Sequence, residues 1–186
     1  MGCPDVRLFF ALWPDARTRA LIADAASAIR VCGPARLVPR ENYHLTLAFV
    51  GEATLPQLAV LQQIGRDQRA AGCTIKVEAL DYWREPQVVV AVARETPPAL
   101  DGLCMRLHQD LALRDVAGPP LAPPAALLRA HVTLARKVAQ APVLQAMSPF
   151  HWNARSFSLV RSDTSGPHAV YTVVDTWPLL DETPRP

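Results

Sequence analysis

Apolar residues follow two periods along this chain, and each period predicts a different element. Alternating or continuous apolar runs predict strands over residues 7–12, 36–38, 43–50, 73–80, 88–93, 129–136, 157–161 and 169–174. Apolar residues spaced three or four apart predict helices over residues 15–30 and in the segments that begin at residues 54 and 96. Strands and helices do not alternate strictly in this order, so we predict an α+β fold with antiparallel sheets.

The composition is that of a folded chain with a mild positive charge. The length of 186 residues fits one domain, or two small lobes that share a core, and we predict a single domain over residues 1–186. Half of the residues are hydrophobic and 19% are charged, which favours a packed core over disorder. The net charge of +2 does not demand a nucleic-acid partner, although a small basic cleft could still bind one phosphate.

Cysteine, carboxylate and apolar patterns argue against several classes of protein. The four cysteines are scattered, without a CxxC motif or a zinc-like Cys–His spacing, so we expect reduced thiols in a cytoplasmic protein. We expect no signal peptide and no membrane association, because no apolar stretch is long enough to cross a bilayer. Acidic residues are dispersed, so we predict that the protein uses neither a metal ion nor an organic cofactor.

A short motif occurs twice, about half the chain length apart, as His44-Leu45-Thr46-Leu47 and as His131-Val132-Thr133-Leu134. Side chains alternate between the two faces of a strand, so each His and its Thr share one face while the apolar residues point into the core. A lone histidine of this kind is more often a core residue bonded to a carbonyl. Two matching copies predict a site in which imidazoles move protons and hydroxyls hold an oxyanion.

The two tetrads and their flanks resemble the 2H phosphoesterases, and within them the RNA 2′,3′-cyclic phosphodiesterases formerly called 2′-5′ RNA ligases. The resemblance is carried by residues 7–14 (RLFFALWP), 38–52 (VPRENYHLTLAFVGE), 131–137 (HVTLARK), 157–162 (FSLVRS), Tyr171 and 177–179 (WPL). The chain departs from the pattern before the second tetrad. This subfamily usually has a proline directly before the second histidine, whereas here Ala130 precedes His131 and the prolines cluster in residues 117–124.

The resemblance implies a bilobal fold in which two antiparallel sheets with outer helices enclose a central cleft. It also implies hydrolysis of RNA 2′,3′-cyclic phosphate ends to 2′-phosphates by a monomer. By analogy, His131 would be the base that activates water and His44 the acid that protonates the departing 3′-oxygen. Thr46 and Thr133 would donate hydrogen bonds to the phosphate, and the family also places an arginine at the position of Arg136 in the site.

The position of Arg136 conflicts with simple strand geometry. An offset of five residues from His131 puts Arg136 on the opposite face of an unbroken strand. Arg136 can therefore reach the phosphate only if the strand ends or bulges after Leu134. Phe9 and Phe49 are candidates for stacking on a base, although core packing is the more common role for such residues and is favoured for both.

Two other functions remain open at this point. The same chemistry suits small cyclic nucleotides, ADP-ribose cyclic phosphate or 2′-5′ oligonucleotides, and the sequence does not separate these from RNA ends. A module that binds RNA ends without turnover belongs to a different class. The completeness of both tetrads argues against it, because binding alone needs no paired proton donor and acceptor.

Overall fold

The computed structural model describes residues 6–31, 33–116, 129–166 and 169–181. Within these ranges the α-helices are α1 (Ala16–Ala26), α2 (Leu55–Asp67) and α3 (Pro98–Leu113). The strands are β1 (Val6–Leu12), β2 (Ile29–Arg30), β3 (Arg36–Leu37), β4 (Leu45–Ala53), β5 (Cys73–Trp83), β6 (Val88–Ala93), β7 (His131–Arg136), β8 (Val143–Leu144), β9 (Phe150–Ala154), β10 (Ser156–Asp163) and β11 (Val170–Pro178). The proline-rich segment 117–124 lies outside the described residues.

Two antiparallel sheets dominate the fold. The first has the strand order β11-β10-β1-β4, and the second has the order β3-β7-β6-β5-β9. β2 and β8 form a separate antiparallel pair. The α+β class with antiparallel sheets is confirmed. Each large sheet contains one of the two tetrad strands, β4 in the first and β7 in the second.

Polar residues at the helix starts explain where two of the helices begin. Asp15 caps α1, and its carboxylate accepts a hydrogen bond from the backbone N–H of Thr18 over 2.7 Å. Thr54 and Gln57 form a reciprocal capping box at the start of α2. None of the helices in the described ranges has both the length and the apolar composition needed to cross a membrane.

One large apolar cluster unites the inner faces of both sheets with the helices. All six residues of β6 are buried, as its uninterrupted apolar run predicts. α2 approaches β11 closely because Gly65 has no side chain, and a Cβ at that position would lie 2.4 Å from the ring of Trp177. The opposite face of each sheet carries the His and Thr side chains of the tetrads.

The structure differs from the sequence prediction at several boundaries. The first helix ends at Ala26 rather than near residue 30, because Ile29 and Arg30 pair with β8. β4 continues through Gly51, which adopts a φ of 87°, and so does not end there. β9 was not predicted, although its alternating buried and exposed residues are typical of a strand.

Candidate active site

The topology brings the two tetrads together. His44 directly precedes β4, which contains Thr46, while His131 and Thr133 lie in β7. β4 and β7 belong to different sheets, yet they are in contact. The repeat in the sequence therefore corresponds to two adjacent strands that face one cleft.

Each of the two imidazoles is held by the same local hydrogen bond. Nδ1 of His44 donates to the carbonyl oxygen of Asn42, and Nδ1 of His131 donates to the carbonyl oxygen of Arg129, both over 2.7 Å. A carbonyl oxygen can only accept, so Nδ1 carries the proton in both rings. Nε2 is therefore the nitrogen that each ring can use to accept or donate a proton.

A cavity of about 90 Å³ opens beside His44. Its lining comes from both large sheets and their flanks: Arg36, Leu37, Val38, Pro39, Asn42, His44, Thr133, Arg136, Ala169 and Tyr171. Two guanidinium groups, two hydroxyl groups and an imidazole are present among these described lining residues, without a carboxylate, and such a set suits an anion. Of the predicted site residues, His44, Thr133 and Arg136 line this cavity, whereas His131 and Thr46 do not.

Aromatic side chains surround His44. The ring of Trp13 stacks on the imidazole at 5.7 Å between centroids, Tyr171 meets it edge-on at 5.1 Å, and Phe9 lies 5.0 Å away. His44 is only 8% exposed as a result. Burial lowers the pKa of His44 from 6.5 to about 4, and the positive charge of Arg136 and the proximity of His131 act in the same direction. The hydrogen bond to Asn42 opposes this lowering.

His131 lies in a more polar environment and is half-buried. The Trp83 ring packs against it with 4.6 Å between centroids. One oxygen of Asp81 accepts hydrogen bonds from Nε1 of Trp83 over 3.0 Å and from the Arg129 guanidinium over 2.6 Å. The pKa of His131 is lowered chiefly by burial, and the charges of Arg129 and Arg136 add to that lowering.

A β-bulge explains how Arg136 reaches the cavity. In the pairing of β6 with β7, Val90 is opposite Thr133 but Val89 is opposite Ala135, so Leu134 is an extra residue on the bulged strand. Leu134 and Ala135 are both buried, and the alternation resumes with Arg136 exposed. The sequence required β7 to end or bulge after Leu134. The structure places the bulge at Leu134 itself, one position earlier, and this also returns Arg136 to the face of His131 and Thr133.

The remaining predicted residues occupy different positions. Phe9 is 4% exposed because His44, Phe49 and Tyr171 cover it, so its ring is not accessible to a base and instead forms a wall beside His44. Phe49 is 53% exposed and stays a candidate for stacking. Thr46 is half-buried and pairs with Ala11 on the Phe9 face of the sheet.

The other histidines and cysteines in the described residues lie outside this cavity. His108 donates through Nδ1 to the carbonyl of Cys104 within α3, and His151 is exposed on β9. Burial raises the pKa of Cys104 to about 11, so this residue is a thiol that donates to the carbonyl of Leu47 and not a nucleophile.

Among the described residues, no cluster of three His, Cys, Asp or Glu side chains could hold a metal ion.

Sequence reasoning did not identify several residues around the two histidines. They are Trp13, Arg36, Asn42, Asp81, Arg129 and Tyr171. Alternation carried a usable signal for two of them, since Trp13 continues the face of Phe9 and Ala11 and Arg129 lies two residues before His131 in the predicted strand. Tyr171, and Asn42 within residues 38–52, were among the residues that carry the resemblance. Arg36 and Asp81 reach the site through strand pairings and a long-range ion pair, which no local pattern reveals.

Comparisons with known proteins show that this chain is similar to a family of phosphoesterases. The profile of a family described as LigT like Phosphoesterase matches residues 12–90, which include the first tetrad. An RNA 2′,3′-cyclic phosphodiesterase of Thermus thermophilus is 28% identical over 97% of this chain and 93% of its own length. A protein of the same name from Escherichia coli is 27% identical over 93% of this chain and 96% of its own length.

Solved structures of similar proteins share the fold over almost the whole chain. E. coli LigT complexed with 3′-AMP superposes with a TM-score of 0.79 at 26% identity, covering 94% of this chain and 98% of LigT. A structure described as a phosphoesterase superposes with a TM-score of 0.83 at 26% identity, covering 96% of this chain and 99% of that one. These matches extend over both tetrads, whereas the family profile ends before the second.

Proposed function

We propose that this chain belongs to the LigT-like phosphoesterases of the 2H superfamily, and that it hydrolyses RNA 2′,3′-cyclic phosphate ends to 2′-phosphates. The relatives from T. thermophilus and E. coli named RNA 2′,3′-cyclic phosphodiesterase support this choice of substrate. The observation that carries the proposal is the shared tautomer of His44 and His131. Two imidazoles with Nε2 unprotonated stand at a cleft whose cavity is lined by guanidinium groups.

The proposed step is an in-line displacement at phosphorus. Nε2 of His131 takes a proton from water as the water oxygen bonds to phosphorus. The bond from phosphorus to the 3′-oxygen breaks, and Nε2 of a protonated His44 gives that oxygen its proton. The products are a 2′-phosphate and a 3′-hydroxyl. Thr46, Thr133 and Arg136 would hold the non-bridging oxygens, where negative charge builds up.

The charge state of His44 links substrate binding to this step. In the free protein the pKa of His44 is about 4, so the ring is neutral near pH 7 and cannot act as an acid. A bound phosphodiester brings a negative charge that offsets the nearby Arg136 cation, which favours the imidazolium form. We therefore propose that His44 becomes a competent acid only when the cavity holds the substrate phosphate.

Arg36 favours RNA ends over nucleoside cyclic monophosphates. It is the cross-strand partner of Arg136 in the pairing of β3 with β7, and both line the cavity. A cyclic phosphate diester carries a single negative charge. A second phosphate, such as the next one in an RNA strand, would match the second guanidinium.

The proposed enzyme works as one unit without a metal ion. The apolar cluster that joins the inner faces of both sheets supports a single bilobal domain over residues 1–186. The proton-transfer groups and cations of the cleft supply every role in the step described above. No part of that step requires a Lewis acid.

The experiment that tests the proposal is product analysis on an RNA oligonucleotide with a 2′,3′-cyclic phosphate end. We expect a 2′-phosphate product, formed at an unchanged rate in the presence of EDTA. A 3′-phosphate product would contradict the assignment of the departing oxygen. Activity lost in EDTA and restored by a divalent ion would overturn metal independence, and binding without turnover would favour an RNA-end-binding module.

A further inference from the structure

A single carboxylate oxygen next to the second tetrad binds the side chains of two residues, Trp83 and Arg129, that each contact His131, Trp83 through its ring and Arg129 through its backbone carbonyl. Oδ2 of Asp81 accepts from Nε1 of Trp83 over 3.0 Å and from Nη2 of Arg129 over 2.6 Å. Asp81 and Trp83 belong to β5, whereas Arg129 lies just before β7. Since β6 lies between β5 and β7, these contacts bridge across a strand on the cleft face of the sheet.

Both partners of Asp81 reach His131 by different routes. The Trp83 ring packs on the imidazole with 4.6 Å between centroids and an angle of 57° between planes. The backbone carbonyl of Arg129 accepts the Nδ1–H of His131, and its guanidinium lies 5.3 Å from the centre of the Trp83 ring. Asp81 therefore acts on His131 through one ring contact and one hydrogen bond, without touching it.

We propose that Asp81, Trp83 and Arg129, called here the His131 clamp, position His131 for proton transfer. The inference rests on the proposed function of His131 and adds three positioning residues to it. The clamp fixes which nitrogen carries the proton and restrains the plane of the ring. Val88, Val90 and Val92 of β6 pack with Trp83 in a separate apolar cluster beneath the clamp, which limits its movement.

The exposure of the Asp81–Arg129 pair shows why folding stability alone does not account for it. The two side chains are 36% and 56% exposed, and an ion pair this exposed contributes little to the stability of a fold. An orienting role is different, because a displacement of about 1 Å at a catalytic group can cost about a hundredfold in rate. Changing Asp81 should therefore alter His131 far more than it alters unfolding.

The clamp also sets the charges around His131. The charges that act directly on the imidazole are those of Arg129 and Arg136 from the β7 segment, with His44 across the cleft. Asp81 of β5 pairs with Arg129 and acts through it. β6 presents valines there. Removing Asp81 leaves the Arg129 cation unneutralised, whereas removing Arg129 takes a cation away. The two substitutions should therefore shift the titration of His131 in opposite directions.

The test is an NMR titration of the His131 ring in the unliganded protein, with the resonance assigned by its loss in His131→Gln. We expect Asp81→Asn to lower the pKa of His131 and Arg129→Gln to raise it, with the double variant between them. Trp83→Phe keeps an aromatic ring but loses the N–H donor, so it should loosen the clamp without a large charge effect. Shifts of the same sign in the two single variants, or no shift in either, would overturn the proposal.

A matched control separates positioning from general loss of an ion pair. Asp67 and Arg114 form a pair over 2.9 Å with 43% and 36% exposure, between the ends of α2 and α3 and outside the cavity lining. We expect Asp81→Asn and Trp83→Phe to lower kcat about tenfold with little change in KM, and Asp67→Asn to lower neither. Equal effects of Asp81→Asn and Asp67→Asn would reject the clamp. If the wild-type protein hydrolyses no cyclic phosphate, the proposed function fails, but the titration still decides the clamp.

Discussion

His44 and His131 share a motif, a tautomer and a hydrogen bond, yet their surroundings differ. Three aromatic rings enclose His44 and leave it 8% exposed, so that its pKa falls to about 4. His131 is half-buried against Trp83, beside an Asp–Arg pair that contacts water. The repeat thus fixes where each imidazole lies, while non-repeated neighbours determine how readily each takes up a proton.

This difference shows how a nearly symmetric motif can support two unlike tasks. A general base must be neutral in the free enzyme, and a general acid must be protonated in the complex. The apolar enclosure of His44 makes its charge depend on a bound anion. The pKa of His131 is lowered chiefly by its partial burial, and the fixed charges of Arg129 and Arg136 add to that lowering. Substitutions on the two sides should therefore have different consequences.

Removing either imidazole should have the largest effect. We expect His44→Ala and His131→Ala each to lower turnover of a cyclic-phosphate RNA end by about a hundredfold or more, since each removes one proton-transfer group. Steady-state kinetics and circular dichroism would check activity and fold. His151→Ala is the matched control, because His151 is exposed on β9 and outside the cavity lining. Near-normal turnover in either site variant would contradict the two-histidine mechanism.

A substrate whose leaving group needs no proton should separate the two histidines. The loss of kcat/KM in His44→Ala should be at least about tenfold smaller on a nitrophenyl phosphodiester than on a cyclic-phosphate RNA end. His131→Ala should stay inactive on both substrates, because only the acid becomes dispensable. The ratio of kcat/KM values on the two substrates is the measurement. Recovery of His131→Ala instead would exchange the roles, and recovery of neither would indicate that both rings mainly bind phosphate.

The same contrast explains what the sequence could and could not predict. The tetrads, the buried β6 and most of the element order follow from local periods of two and three to four residues. The position of Arg136 depends on a bulge that no local pattern marks, although the sequence showed that one was needed. Alternation gives the face of the sheet on which Phe9 lies, but it does not give the rings of His44 and Tyr171 that cover Phe9 there.

The neighbours of the histidines were the hardest part to predict. Asp81 and Arg129 are far apart in sequence and meet only because β5, β6 and β7 are adjacent. Tyr171 lies on β11 and reaches His44, which directly precedes β4, from the opposite edge of the same four-stranded sheet. A motif therefore identified the reacting groups, whereas their protonation depends on long-range pairings that follow from the whole topology.

The burial of His44 should make stability depend on pH. Unfolded His44 takes up a proton near pH 6.5 and folded His44 only near pH 4, so acid favours the unfolded chain and stability falls as pH falls between these values. The free energy of unfolding of the wild-type protein should fall between pH 7 and pH 5. We expect this fall to be about 2 kcal/mol smaller in His44→Gln. Urea unfolding at several pH values measures this difference.

His131→Gln is the internal comparison for that experiment. His131 is only half-buried, and its pKa is also lowered, so its substitution should remove a smaller part of the same pH dependence. An equal effect of the two variants would contradict the asymmetry between the two sides of the cleft. A pH dependence that His44→Gln leaves unchanged would mean that the ring is readily charged in the folded protein.

The smallest expected effect concerns which phosphate of the substrate Arg36 and Arg136 each bind. If Arg36 binds a second phosphate, Arg36→Gln should lower kcat/KM about tenfold more on a dinucleotide with a 2′,3′-cyclic end than on a nucleoside cyclic phosphate with a free 5′-hydroxyl, because one charge-assisted hydrogen bond is lost. Arg136→Gln should weaken both substrates alike, since both carry the reacting phosphate. Arg66→Gln removes the same charge from the exposed surface of α2 and serves as the control.

A 5′-phosphorylated mononucleotide tests whether the phosphate suffices without the neighbouring nucleoside. Equal losses on all substrates for Arg36→Gln would assign Arg36 to the reacting phosphate, and with it the preference for RNA ends would lose its structural basis.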